Sequence, residues 1–282
     1  FYDPWIKDTD RISWGWSIYK NTYEDDDSAI FNEIDTIGAK FNVGKGITKN
    51  IRLSLGTKLE YVEETSDHSK FKDGKWLGTN IEAKGLDDKY YIWSLFPSIT
   101  YDTRNHFWNP TAGEYARLQL EGGYASGYEG DMFGNITLEL RKYHVGFFKK
   151  NTFAYRVVGG IMTDSTKEGQ RFWVGGGSTL RGYDGGFYKG TKKLVGTIEN
   201  RTQLNDILGF VVFFDTGRAW DYRGRDLSYQ HDDSFANDIA MAAGVGLRIN
   251  TPIGPLRFDF GWPVGDKMDS GMEFYFNMGQ SF

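Results

Sequence analysis

The sequence predicts an all-β protein, a transmembrane antiparallel up-and-down β-barrel of about twelve strands. Three observations carry that prediction. Short segments with alternating apolar and polar side chains run along nearly the whole chain. Aromatics make up 17% of residues and glycines number 36, while mean hydropathy is only −0.52. The connections between segments alternate between long and short. A barrel is apolar outside, polar inside and belted with aromatics, so its average hydropathy is low. No apolar run reaches the roughly 18 residues a membrane helix needs.

The strands follow from a two-residue period, which puts successive side chains on opposite faces. Ile12, Trp14, Trp16 and Ile18 oppose Arg11, Ser13, Ser17 and Tyr19. Ile51, Leu53, Leu55 and Leu59 oppose Arg52, Ser54, Lys58 and Glu60. Ala116, Leu118 and Leu120 oppose Arg117, Gln119 and Glu121, and Ile136, Leu138 and Leu140 oppose Thr137, Glu139 and Arg141. In the last segment Met272, Phe274, Phe276, Met278 and Phe282 share one face, against Glu273, Tyr275, Asn277 and Ser281. Strands are therefore expected at 11–20, 33–44, 50–62, 89–102, 113–124, 131–142, 151–163, 193–204, 209–219, 238–249, 255–262 and 272–282. Most have the length a tilted strand needs to cross a bilayer.

Connections after odd strands are mostly long (21–32, 63–88, 164–192, 220–237), and those after even strands mostly short (45–49, 143–150, 205–208, 250–254). Outer-membrane barrels show that asymmetry between extracellular loops and periplasmic turns. The exception is TRNHFWNPTA at 103–112, a longer turn on the short side. A soluble β-sandwich or soluble barrel is the alternative. It accounts poorly for Arg and Glu recurring at mid-strand opposite an apolar face. Trp108, Trp173, Trp220 and Trp262 lie near strand ends, where either an interfacial belt or a loop anchor places them.

Several function classes fall away. With no cysteine there is no disulfide or thiolate metal site. A net charge of −5 gives no basic footprint for nucleic acid. His68, His106, His144 and His231 have no zinc spacing, and GKG at 44–46 lacks the phosphate-loop pattern. No cofactor or metal is expected. The acidic residues Glu24, Asp25, Asp26 and Asp27, and His231 with Asp232 and Asp233, read as solvated loop tips; divalent-ion bridging to lipopolysaccharide is the other reading. No Ser-His-Asp ordering points to an enzyme. The opening FYDPWIKD reads like the end of a strand, with no leader before it, so a mature or truncated piece is expected.

The segment FWVGGGSTLRGYDGG at 172–186 concentrates the functional signal. Its glycines let backbone pass close to a wall, and its single Arg181 needs a carboxylate if it enters a lumen. Alternation turns Leu194, Ile198 and Leu204 outward and Thr197, Glu199, Arg201 and Gln203 inward. On the next strand Phe210, Val212 and Phe214 face out and Asp215 faces in. Glu199 and Asp215 therefore sit on neighbouring strands, facing one lumen, within reach of a planar guanidinium. Alternation alone leaves open that the three are unrelated lumen charges.

The stretch GGGSTLRGYDGG resembles the loop motif of the BamA family, also called the bacterial surface antigen family. YDPWIKDTDRISWGWSIY, SITYDTRNHFWNPTAGEYARLQLE, GPLRFDFGWPVG and MEFYFNMGQSF resemble further family stretches, in family order, across nearly the whole chain. The resemblance implies that Arg181, with Gly182 and Tyr183, docks on Glu199 and Asp215. It also implies that the terminal strand, with Phe274, Phe276 and the closing aromatic Phe282, forms one edge of an openable seam. The function implied is a bacterial outer-membrane insertase that folds client barrels through that seam. Its partners would be outer-membrane lipids, unfolded client barrel proteins and periplasmic assembly lipoproteins. Family members have sixteen strands and N-terminal POTRA domains. About twelve strands here, as one barrel domain over 1–282, imply that POTRA domains and four N-terminal strands are missing by truncation, or that the barrel is smaller. Passenger-secreting relatives, two-partner or patatin-linked, share the Arg-Gly-Tyr type of loop. A passive porin fits the inward charges equally well.

Overall fold

Alternation of this kind resolves, in the computed structural model, into one antiparallel sheet that follows the chain in sequence order. The structure describes residues 2–3, 11–25, 31–67, 88–127, 130–163, 170–221, 239–252, 254–265 and 271–282. Its strands are β1 (Tyr2–Asp3), β2 (Ile12–Asp25), β3 (Phe31–Gly46), β4 (Ile51–Asp67), β5 (Asp88–Asp102), β6 (Gly113–Ala125), β7 (Asp131–Val145), β8 (Asn151–Met162), β9 (Phe172–Val174), β10 (Tyr188–Gly190), β11 (Lys192–Gln203), β12 (Leu208–Trp220), β13 (Ala240–Thr251), β14 (Gly254–Val264) and β15 (Glu273–Met278). Thirteen of them form the large sheet, in the order β1–β8 then β11–β15, and β9 pairs only with β10. Each of the twelve segments read from alternation is a strand of that sheet. Side chains at 23–25 and residues 26–27, 68 and 231–233 lie outside the description, and with them the two acidic tips, His68 and His231.

Neighbour-to-neighbour antiparallel pairing lets the interior strands satisfy their backbone groups on one another without water, which a bilayer demands. β1 and β15 stand at the two ends of the strand order, and no ladder joins them among the described residues. Strand length falls along the sheet, from 17 residues in β4 to 11 in β14 and 6 in β15.

The two faces invert the arrangement of a soluble protein. Ile18, Leu55, Leu59, Ile136, Ile161, Ile198, Val212 and Phe276 are exposed on the outside, while Glu60, Thr197, Glu199, Asp215, Arg248 and Asp259 are buried on the inside. A soluble sandwich would bury the first set and solvate the second. The outer surface is matched to lipid and the inner one to ions and hydrogen bonds.

Three expectations need correction. First, β2, β3 and β4 run further into the long-loop side than alternation suggested, ending or starting at Asp25, Phe31 and Asp67. Polar residues continue a ladder once strands stand clear of lipid, so apolar alternation stops before the strand does. Second, the long connection at 164–192 holds the β9–β10 pair, with Tyr188 opposite Val174 and Gly190 opposite Phe172. Three-residue strands are too short to show a period. Third, the final strand ends at Met278, not 282. Gly279 takes φ 95°, a left-handed conformation that suits glycine, and its N–H donates to the Pro255 carbonyl at 2.7 Å. The chain then turns inward. Phe282, placed by alternation with the outward aromatics, is 7% exposed, packed with Tyr143 and Ala154 and under the Arg201 guanidinium at 4.7 Å.

Candidate functional site: a loop docked inside the barrel

Residues 170–191 fold into the lumen and hold themselves together before they touch the wall. The Thr179 hydroxyl accepts the Gly175 N–H at 2.9 Å and donates to the Gly175 carbonyl at 2.7 Å. Gly176 N–H donates to the Tyr183 carbonyl at 2.9 Å, closing the turn that carries Arg181. Val174, Leu180, Tyr183 and Tyr188 then pack against Val158, Val195, Ala219, Ala240 and Ala242 of the wall. On the far side Trp173 packs against Ile34, Val62, Tyr90 and Ile92 of β3, β4 and β5. Trp173 is therefore a lumen residue, not part of an interfacial belt.

Arg181 is 2% exposed and sits over the Phe213 ring, 3.4 Å from its centroid. Its Nε and Nη2 donate to Asp215 at 2.7 and 2.9 Å, a two-pronged pairing. Its Nη1 donates to Glu199 at 2.7 Å and reaches Asp259 at 3.4 Å. The backbone N–H of Arg181 also donates to Asp215, at 3.2 Å. Gly182 follows at φ 91°, and a Cβ there would lie 3.0 Å from the Trp262 backbone. Glycine is needed here both for its dihedral and for its lack of bulk. The Tyr183 hydroxyl donates to the Met241 carbonyl at 3.2 Å.

The sequence-predicted residues Arg181, Gly182, Tyr183, Glu199 and Asp215 thus occupy one site on β11, β12 and the loop. Phe274 and Phe276 do not: they face outward on β15 and pack against Phe260 and Phe258, with ring centroids 5.1 and 5.0 Å apart. Phe282 approaches the site from below, through its neighbour Ser281, whose hydroxyl donates to Glu199 at 2.5 Å.

Four members of the site were not anticipated. Asp259 on β14 is 0% exposed and binds Arg248 at 2.6 Å and Arg257 at 3.1 Å. Arg201 pairs with Glu199 at 2.7 Å. Their signal was present, since RFDFG alternates Arg257 and Asp259 onto the inner face. The cluster joins four guanidinium groups to three carboxylates. Carbonyl oxygens offset the excess positive charge: Arg257 donates to Gly177 at 2.7 Å, Arg248 to Leu247 at 3.1 Å and Arg201 to Phe282 at 3.3 Å. Buried charges are tolerated only when paired and hydrogen-bonded in this way. Among the described residues no group of three or more His, Asp or Glu side chains is arranged to hold a metal ion.

A family profile described as the Omp85 superfamily domain matches residues 1–282. The chain belongs to the Omp85 superfamily. As an Omp85 protein it resides in the bacterial outer membrane. It is 26% identical over 205 residues to the "Outer membrane protein assembly factor BamA" of Nitratidesulfovibrio vulgaris, a match covering 65% of this chain and 25% of that protein. In structure it resembles BamA from Haemophilus ducreyi lacking POTRA domains 1–3, with TM-score 0.72 at 18% identity, covering 99% of this chain and 60% of that one. It also resembles CdiB from Acinetobacter baumannii, with TM-score 0.60 at 15% identity, covering 95% of this chain and 47% of that one. At those identities the structures share the fold. The Omp85 chain described here spans about a quarter of the curated relative's length.

Proposed function

We propose that this Omp85 barrel assembles other β-barrel proteins, folding and inserting client strands at an edge formed by β15. The observation that carries the reading is the lumen loop. It is fixed by a buried Arg181–Glu199–Asp215–Asp259 cluster on the same wall that ends in a six-residue strand. A short strand holds few ladder hydrogen bonds, and an edge strand offers its free backbone groups to an incoming strand. The work is non-covalent: the client gains a ladder partner, and the docked loop keeps the wall behind that edge in shape. The sequence relationship to an outer membrane protein assembly factor supports this reading. Arg181, Gly182, Tyr183, Glu199 and Asp215 are the docking residues, and Phe274, Phe276 and the terminal segment to Phe282 belong to the edge. Clients and outer-membrane lipids are the partners, with periplasmic lipoproteins and POTRA domains completing the machine.

A passenger-secreting transporter of the same superfamily is the second reading. It shares the fold and the loop. Reconstitution of the full-length protein in lipid vesicles separates the two. The expected result is faster membrane insertion of a small client barrel, lost with Arg181→Glu. A correctly folded protein that leaves the client's insertion rate unchanged would move the assignment to transport.

A further inference from the structure

The loop does more than rest on β11 and β12. Side chains from three separate strands hold its backbone: Arg156 of β8 donates to the Ser178 carbonyl at 2.8 Å, Arg257 of β14 to the Gly177 carbonyl at 2.7 Å, and Tyr275 of β15 bonds twice. The Tyr275 hydroxyl accepts the Gly182 N–H at 3.0 Å and donates to the Tyr183 carbonyl at 2.7 Å. It is thus inserted between two backbone groups of the same Arg-Gly-Tyr segment that Arg181 anchors. With Trp173 packed on β3–β5 at the other end, the loop is a crossbar that spans the lumen and finishes on the terminal strand.

The terminal strand needs such a tie. β15 pairs with β14 over six residues, Gly261↔Glu273 to Leu256↔Met278, whereas β13 and β14 pair over eleven. Tyr275 stands within that short ladder, opposite Asp259, the acid that binds Arg248 and Arg257. Its ring faces inward between the outward Phe274 and Phe276. The hydroxyl is therefore the point where loop docking and edge geometry meet.

We propose that Tyr275 is a positioning residue that couples the docked loop to the β15 edge, holding that edge in a strand conformation for its partner. The inference rests on the assembly reading only for its consequence in client insertion; the mechanical tie is independent of it. Removing the hydroxyl leaves the ring, the ladder and the Arg181 cluster in place. The strand then loses both Tyr275 hydrogen bonds to the loop backbone.

The test is Tyr275→Phe in the full-length protein, folded in lipid vesicles and followed by amide hydrogen exchange with peptide resolution. Exchange across 273–278 is expected to rise about tenfold, the effect of one to two ordinary hydrogen bonds, while 192–203 on β11 stays within about twofold of wild type. The urea unfolding midpoint should hardly move, and client insertion should slow. Tyr183→Phe is the control. It removes a hydroxyl bond from the same loop to β13 and should leave exchange at 273–278 as in wild type. Unchanged exchange in β15 would overturn the proposal. So would an equal rise in β11 and β15, since the hydroxyl would then serve general stability. If wild type fails to accelerate insertion, the assembly reading falls, and the exchange comparison still decides the tie.

Discussion

Two of the ion networks on the inner face are made by the same rule, one on β11–β14 and one on β4–β6, and they differ in what covers them. On the wall from β11 to β14 the loop lies over Arg181, Glu199, Asp215, Asp259, Arg248 and Arg257, whose side chains are 0–4% exposed. On the other wall Lys58 bridges Glu60 at 2.9 Å and Glu121 at 3.0 Å, and Lys58 and Glu121 keep 12% and 11% exposure to the open lumen. Alternation placed both sets inward. Coverage separates them: a covered pair loses water from both partners and depends on exact mutual pairing, whereas a wet pair has water as a substitute. The loop is thus what turns ordinary lumen charges into a structural joint.

Breaking the joint at its centre should have the largest effect. Arg181→Ala removes the two-pronged partner of buried Asp215 and one of the cations on Glu199, which keeps Arg201, at a cost of about 3–5 kcal/mol, read as a lowered urea midpoint for the barrel in lipid. The loop at 175–186 should become a protease target in the folded barrel. A change below about 1 kcal/mol, the range of a solvated pair, would mean that the two walls do not differ as their coverage implies.

Asp259→Asn probes the same joint at its rim. Arg248 and Arg257 would keep hydrogen bonds to carbonyls but lose their charged partner. A loss of about 2–3 kcal/mol is expected, the upper range for hydrogen bonds to charged groups. Gly182→Ala tests the backbone of the joint. The left-handed φ and the 3.0 Å approach to Trp262 should cost about 1–3 kcal/mol, with the loop opened and the Arg181 side chain itself intact.

The sequence made the wall legible and the interior only partly so. Period-two alternation reports which side of a strand meets lipid, so the twelve segments and the inward direction of Glu199, Asp215 and Arg181's partners could be read directly. It has no power where the chain leaves the ladder. Nothing in FWV or YKG marks the β9–β10 pair, because three residues hold no period. Phe282 follows the outward parity of Phe274 and Phe276, yet Gly279 breaks the strand and sends it inward. Asp259, Arg248 and Arg257 had the right parity and were missed for a different reason: parity says a residue faces the lumen, not which lumen residues meet. That depends on the stagger between strands and on where a loop lands, properties of the whole wall.

The smallest effect is expected on the wall that carries Lys58. Glu121→Gln removes one carboxylate from Lys58, which retains Glu60 at 2.9 Å. The new amide oxygen, in the place of Oε1, can still accept from the Ser94 hydroxyl, which binds Glu121 at 2.7 Å, while its NH2, in the place of Oε2, keeps the Asn135 contact at 3.1 Å only if that amide turns over to accept. Lys58 keeps 12% exposure to the lumen. The loss should stay below about 1 kcal/mol, with the loop as protease-resistant as in wild type. Equal losses for Glu121→Gln and Asp259→Asn would mean that residue chemistry, not the covering loop, sets the strength of these networks. A several-fold smaller loss for Glu121→Gln would assign the difference to the loop, since both changes replace one carboxylate by its amide within one barrel.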